Sequence, residues 1–191
     1  MLNILIFGAP GSGKGTQSAF VKEHYGLEHI STGDMLRAEI KKGSSVGKKA
    51  EALIANGQLV PDEIIVEMMD NRLSEMGNQA KGVIFDGFPR TVAQAKSLEK
   101  MLQKRGEDVS ILVELEVEEE ELIRRIIERG KSSGRSDDNE NSVRNRLKVY
   151  HSDTEPVISY FEKQGKYISV CGMGEVSEIT RRITDAIDTQ K

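Results

Sequence analysis

The chain has 191 residues, of which 37% are hydrophobic and 30% charged, and its formal net charge at pH 7 is −4. These values describe a single soluble globular domain with a sizeable core and exclude a disordered chain. The negative net charge argues against a broad nucleic-acid-binding surface, and no apolar run is long enough to span a membrane. With one cysteine and no targeting segment, we expect a cytoplasmic protein without an internal disulfide.

The first predicted element leads directly into a glycine-rich loop. Residues 2–7 (LNILIF) are apolar on both faces, as in a buried parallel strand, and GAPGSGKGT follows at residues 8–16. Glycine allows tight curvature and leaves N–H groups free, and a helix that begins near Thr16 adds its positive end. This order predicts a polyphosphate site in which Lys14 bridges the outer phosphates. The hydroxyl of Thr16 comes one position later than in the strict phosphate-loop template.

The remaining elements alternate between short apolar strands and amphipathic helices. Further strands are predicted at 28–30, 82–85, 110–115 and 167–171, and helices near 16–25, 31–40, 46–54, 61–73, 91–104, 118–129, 141–163 and 175–187. The helix at 141–163 is expected to bend before Pro156, and Cys171 to pack inside the last strand. This alternation predicts an α/β fold with a five-stranded parallel sheet and right-handed crossovers.

The candidate phosphate ligands beyond the loop are arginines. They are Arg37 and Arg90 beside turns, Arg125 and Arg129 four apart on one helix, Arg135 in a polar loop, and Arg146 on the helix that follows. Guanidinium groups suit phosphate oxygens better than ammonium groups do. A simpler interpretation pairs Arg125 with Glu121, and Arg124 with Glu128, as exposed i,i+4 ion pairs.

Five motifs, in order along the chain, resemble those of the nucleoside monophosphate kinases and, within them, the adenylate kinase family in its short-lid form. They are GAPGSGKGTQ (8–17), STGDMLR (31–37), GQLVPD (57–62), DGFPRTVAQA (86–95) and GRSDD (134–138). The resemblance covers essentially the whole chain and accounts for the GKGT form of the loop. It implies a phosphate-loop NTPase fold whose core (1–30, 61–128 and 139–191) carries a monophosphate-binding flap (31–60) and a short lid (129–138) without zinc.

The resemblance also implies the reaction and the residues that perform it. The reaction is reversible, Mg²⁺-dependent transfer of a phosphoryl group, ATP + AMP = 2 ADP, by a monomer that binds only these nucleotides. The implied catalytic residues are Lys14, Arg90, Arg129, Arg135 and Arg146. The implied ATP-binding residues are Gly11, Ser12, Gly13, Lys14, Gly15, Thr16, Arg125, Arg129 and Gly174. The implied AMP-binding residues are Thr32, Arg37, Gln58, Leu59, Val60, Gly87, Phe88, Pro89, Arg90, Gln94, Arg135 and Arg146. Thr16 and Asp86 are implied to hold Mg²⁺ through water, and Asp137 and Asp138 to lock the lid to the arginines.

Three questions stay open at this level. Thr32 and Gln94 match the adenylate-specific pattern, since a glutamine amide can pair with an adenine edge, but another monophosphate remains an alternative. A kinase acting on a hydroxyl would need a base, for which Asp34 and Asp86 are the candidates. A nucleotide-sensing switch would bind without turnover. We further hypothesise that the lid, hinged at Gly130 and Gly134, limits turnover by its opening or closing.

Overall fold

The computed structural model describes residues 1–77 and 80–190, and its centre is a parallel sheet. The strands are β1 (Leu2–Phe7), β2 (Glu28–Ser31), β3 (Gly82–Asp86), β4 (Ile111–Glu116) and β5 (Tyr167–Cys171), in the spatial order β2-β3-β1-β4-β5. All four neighbouring pairs are parallel. The predicted five-stranded parallel α/β sheet is therefore confirmed.

The helices begin and end close to the predicted positions. They are α1 (Lys14–Tyr25), α2 (Thr32–Lys42), α3 (Ser45–Ala55), α4 (Asp62–Met76), α5 (Val92–Lys104), α6 (Glu119–Ser133), α7 (Glu140–Val149), α8 (Glu155–Glu162) and α9 (Val176–Asp188). The helix predicted at 141–163, with a bend before Pro156, consists of α7 and α8 joined by a π-helical turn, Tyr150–Thr154. The interruption lies just before Pro156, whose ring is incompatible with a regular preceding turn.

The core lies on both faces of the sheet. Along β1, Leu5 and Phe7 pack into one buried cluster and Ile4 and Ile6 into another, as the period of two in a strand requires. α1 and α9 contribute residues to the cluster around Ile4, and α4, α5 and α8 to the cluster around Leu5, so helices cover both faces of the sheet. Cys171 is exposed, so its predicted burial is wrong. It ends β5, which is an edge strand of the sheet.

Residues 31–60, the predicted flap, consist mainly of α2 and α3. These helices pack against each other, and the flap's far end rests on α7. There, Ser142 Oγ donates a hydrogen bond to the carbonyl of Ala55, and Asn145 Nδ2 donates to the carbonyl of Asn56 at 2.6 Å. The end of the flap is therefore tied to the helix that follows the predicted lid.

Among the helices of residues 1–77 and 80–190, none combines the length and the apolar character that crossing a membrane requires.

Candidate active site

A cleft of about 570 Å³ opens at the carboxyl ends of the central strands. β1 and β3 are parallel neighbours, so the loops that follow them leave the same edge of the sheet. In open α/β sheets this edge is where ligands bind. The loop after β1, the end of β3, the flap and residues 125–154 all contribute to its lining.

The loop after β1 forms a cradle that suits an anion. Gly13 has φ +97° and precedes α1, whose first turn receives no side-chain cap. By contrast, Ser31, Ser44, Thr91 and Asn139 cap the starts of α2, α3, α5 and α7. An uncapped helix start presents unpaired N–H groups and the positive end of the helix dipole.

Lys14 points back over this loop and is electrostatically strained. Its Nζ donates to the carbonyls of Gly8 (2.6 Å) and Ala9 (3.1 Å). Burial is the main cause that lowers the pKa of Lys14 to about 8; Asp86 opposes this shift, and the neighbouring arginines add to it. A bound polyphosphate would supply the negative charge that this ammonium lacks.

Arg125 combines both roles considered from the sequence. Its Nε donates to Glu121 at 2.7 Å, which is the predicted ion pair. The other end of the same guanidinium donates to the carbonyl of Ser12 in the phosphate loop (3.4 Å) and to the carbonyl of Gly172, which follows β5 (3.2 Å). Glu121 therefore holds Arg125 over the loop that follows β1.

The predicted pairing of Arg124 with Glu128 is wrong. Arg124 instead makes two 2.7 Å hydrogen bonds to Glu121, and Glu128 pairs with Lys131 at 2.6 Å. Spacings of three and four residues are both neighbours on a helix surface, and here the i,i+3 pairs form.

Two aspartates of the GRSDD motif hold two arginines at the rim of the cleft. Arg129 Nε and Nη2 donate to the two oxygens of Asp138, at 2.8 and 2.5 Å, and this bond raises the pKa of Arg129. Arg146 Nη1 lies 2.8 Å from Asp137 Oδ2, but burial lowers the pKa of Arg146 to about 10. The predicted pairing of the lid aspartates with arginines is present.

A smaller cavity of about 70 Å³ adjoins the cleft on the flap side. Gln58, Leu59 and Val60 line it together with Thr32 and Gln94. Three arginines, Arg37, Arg90 and Arg146, line both the cleft and this cavity. They therefore lie at the junction of the two cavities.

Local contacts fix the walls of the small cavity. Thr32 Oγ1 donates to the carbonyl of Gly87 at 2.7 Å, and Arg90 Nε donates to the same carbonyl at 2.9 Å. Arg37 pairs with Asp34 at 2.6 Å, and Arg135 lies 4.0 Å from the same carboxylate. Asp34 thus links the flap to the predicted lid.

The residues predicted to hold Mg²⁺ fit that ion. Asp86 and Thr16 both line the cleft beside the phosphate loop, and the carboxylate of Asp86 also lies 3.5 Å from His29 Nε2. Mg²⁺ usually keeps several waters and binds through one or two protein oxygens together with phosphates. A cage of three or more acidic, histidine or cysteine side chains is absent from the described part of the chain, and this mode of binding does not need one.

The structure brings most predicted site residues together. Besides Lys14 and the arginines, the cleft is lined by Gly11, Gly13, Gly15, Thr16, Leu59, Asp86, Gly87 and Pro89. Ser12, Phe88 and Gly174 line neither cavity. Ser12 is buried in the loop and Phe88 in the core. Gly174 lies in the turn before α9, so its contact with a nucleotide stays a prediction.

Among the residues that line the cleft, His29, Tyr150 and Thr154 were given no site role in the sequence analysis. Tyr150 and Thr154 belong to the π-helical turn, a feature that often marks functional sites. Thr154 Oγ1 donates to the carbonyl of Arg90 at 3.0 Å. The expected bend before Pro156 was the only signal in the sequence that pointed to this segment.

The fold and the site together define a phosphate-loop phosphotransferase whose cleft over the loop is joined to a second cavity by shared arginines. The sequence model of the family described as adenylate kinase matches residues 6–166. Full-length relatives carry the same name: the adenylate kinase of Parabacteroides distasonis is 56% identical over 100% of both chains. Those of Phocaeicola vulgatus and Bacteroides thetaiotaomicron are each 54% identical over 98% of this chain and 99% of their own. The chain belongs to the adenylate kinase family.

Proposed function

We propose that the protein catalyses ATP + AMP = 2 ADP in the cleft described above. The observation that carries this function is the position of Arg37, Arg90 and Arg146 at the junction of the two cavities. Such a group of cations can bind the phosphate of a nucleotide in the small cavity and align it with the terminal phosphate of a donor on the loop. A site that only sensed one nucleotide would not need a second pocket joined by shared arginines.

The chemistry requires charge neutralisation rather than a base. The phosphate of AMP is already largely ionised at neutral pH, so one of its oxygens can attack the terminal phosphorus of ATP directly. The new P–O bond forms as the bond to the bridging oxygen of the β-phosphate breaks, and the electron pair leaves with ADP. Lys14 and the arginines stabilise the charge spread over the transferring oxygens.

Mg²⁺ held near Asp86 and Thr16 would neutralise charge on the donor phosphates when bound. The chain's own residues orient the substrates: the loop and Lys14 bind the donor, and Arg90 and Arg146 bind the acceptor. Arg129 and Arg135 cover the transferring group from the rim, and closure excludes water that would otherwise accept the phosphoryl group.

Further proposals follow from the family and the site. The substrates are ATP, AMP and ADP, and the protein works as a cytoplasmic monomer without nucleic-acid or membrane partners. Its core comprises residues 1–30, 61–128 and 139–191, with residues 31–60 as the flap and 129–138 as a zinc-free lid.

The geometry disfavours a kinase acting on a hydroxyl. Asp34 and Asp86 are the only carboxylates that line the cleft within the described residues. Asp34 is bound to Arg37, which together with Arg135 holds the pKa of Asp34 below its usual value against the effect of burial. A carboxylate held in this way is a poor proton acceptor.

A coupled assay of ADP formation tests the function. MgATP is offered with AMP, CMP, UMP or GMP, and Arg90→Ala is compared with Arg124→Ala, an exposed arginine outside the cleft. We expect turnover with AMP, a fall on the order of a thousandfold in Arg90→Ala and little change in Arg124→Ala. Preference for CMP or UMP would refute the base assignment, and ATP binding without turnover for any acceptor would refute the reaction.

A further inference from the structure

Asp62 lies directly behind the small cavity without lining it. It is the first residue of α4, and both of its carboxylate oxygens accept hydrogen bonds from the first turn of α5. Oδ1 accepts from Gln94 Nε2 at 2.7 Å, and Oδ2 accepts from Thr91 Oγ1 at 2.9 Å. The same Thr91 hydroxyl accepts from the backbone N–H of Gln94 at 3.1 Å.

These contacts leave Gln94 only one favourable orientation. Gln94 is 2% exposed, so its amide must find partners inside the protein. Its Oε1 accepts from the backbone N–H of Arg90 at 2.8 Å, while Nε2 donates to Asp62. A carboxylate can only accept and a backbone N–H can only donate. Turning the amide over would therefore set oxygen against oxygen at Asp62 and hydrogen against hydrogen at Arg90.

One donor and one acceptor of Gln94 remain for a ligand. An amide offers two N–H groups and two oxygen lone pairs, and the contacts to Asp62 and Arg90 use one of each. The remaining N–H and lone pair lie on a side chain that lines the small cavity. Such a pair matches a 6-aminopurine, whose N1 accepts and whose 6-amino group donates. A 6-oxopurine presents the reverse pattern, because its N1 donates and its O6 accepts.

We propose that Asp62 is a positioning residue for base selection, acting through Gln94 and resting on the proposed function. By fixing the amide, it makes the pocket accept 6-aminopurine monophosphates and reject 6-oxopurine monophosphates. Rejection by unpaired polar groups discriminates far more strongly than a difference in size does. Without the carboxylate, only the backbone N–H of Arg90 would oppose the flipped amide of Gln94, and the flipped amide could then form hydrogen bonds with a 6-oxopurine.

The test compares kcat/KM for AMP with kcat/KM for inosine monophosphate, which differs from AMP only in this hydrogen-bonding edge. The variants are Asp62→Asn and Asp62→Ala. Glu63→Gln is the matched control, because it removes an equal charge from the same first turn of α4. Urea denaturation confirms that each protein is folded, and Asp62→Ala serves if Asp62→Asn does not fold. Asp62→Glu tests rescue by a second carboxylate.

We expect the AMP:IMP ratio to fall about tenfold or more in Asp62→Asn and Asp62→Ala, as loss of a charge-assisted hydrogen bond implies. The ratio should be unchanged in Glu63→Gln and partly restored in Asp62→Glu. A loss of activity that is equal for both substrates would overturn the proposal, since it would show a structural role only. Failure of the wild-type protein to use AMP would instead refute the underlying function, and this inference with it.

Discussion

At the residue scale, Lys14 shows how the site trades stability for binding. Its ammonium is buried among arginines in the free protein, and burial lowers its pKa to about 8. An ordinary lysine in the unfolded chain has a pKa of about 10.4. Between these two values the unfolded chain binds more protons than the folded one, so the stability of the protein rises with pH in this window. Below pH 8 the buried charge weakens the fold.

Lys14→Met should remove this pH dependence. Relative to the variant, the wild-type protein should gain about 2 kcal/mol of unfolding free energy between pH 7 and pH 9.5. Urea denaturation at both pH values measures it, and the other titrating groups cancel in the difference. Lys22→Met, which removes an exposed ammonium from the same helix, is the control. A difference between wild type and Lys14→Met that stayed constant over this range would contradict the buried-charge argument.

At the element scale, local patterns predicted every strand and most helix limits, because apolar periodicity and glycine ends are local signals. The failures have non-local causes. α6 continues past Gly130 to Ser133, and Gly130 does not end the helix but makes room for the carbonyl of Asp138, which would lie 2.5 Å from a Cβ there. Cys171 is exposed because β5 is an edge strand. The order of strands in a sheet cannot be predicted from a local sequence pattern. The motifs likewise predicted the arginines that line the cleft, but not the hydrogen bond between Gln94 and Asp62.

The junction of the flap with α7 yields the next prediction. Gly57 has φ +70°, and a Cβ there would lie 2.7 Å from the carbonyl of Ser142 and 2.8 Å from Cγ of Arg146. Gly57→Ala should therefore move the flap and displace an acceptor arginine, lowering kcat/KM for AMP about tenfold or more. Gly43→Ala is the matched control, since Gly43 has φ +65° with nothing within 4 Å. Both variants should lose about 1 kcal/mol of stability to backbone strain.

Steady-state assays and urea denaturation of the two variants separate strain from position. If Gly43→Ala lost as much activity as Gly57→Ala, backbone strain in the flap would explain both losses. The proposed effect of the contact between Gly57 and α7 on activity would then be refuted.

At the scale of the whole molecule, a chain of net charge −4 concentrates one lysine and six arginines around a single cleft. Residues of the loop after β1, of the flap and of the segment after α6 are among these cations. One ion pair already joins the flap to the lid: Asp34, which is bound to Arg37 within the flap, lies 4.0 Å from Arg135 of the lid. Because this contact must break for the lid to swing away from the flap, we hypothesise that opening of the lid limits turnover.

The lid's last helical turn offers a direct test of that step. Gly134 has φ +63° with nothing within 4 Å, and proline there would fix φ near −65° and disfavour the helical conformation of Ser133. Ser133 Oγ donates to Asp138 at 2.8 Å, so the change should distort the lid. We expect kcat to fall about tenfold while the Kd for AMP changes little. Gly165→Pro, at φ +69° in a turn outside the cleft and equally unobstructed, controls for the local strain. An unchanged kcat in Gly134→Pro would show that turnover is limited elsewhere, because the altered lid would then open and close as fast as catalysis needs.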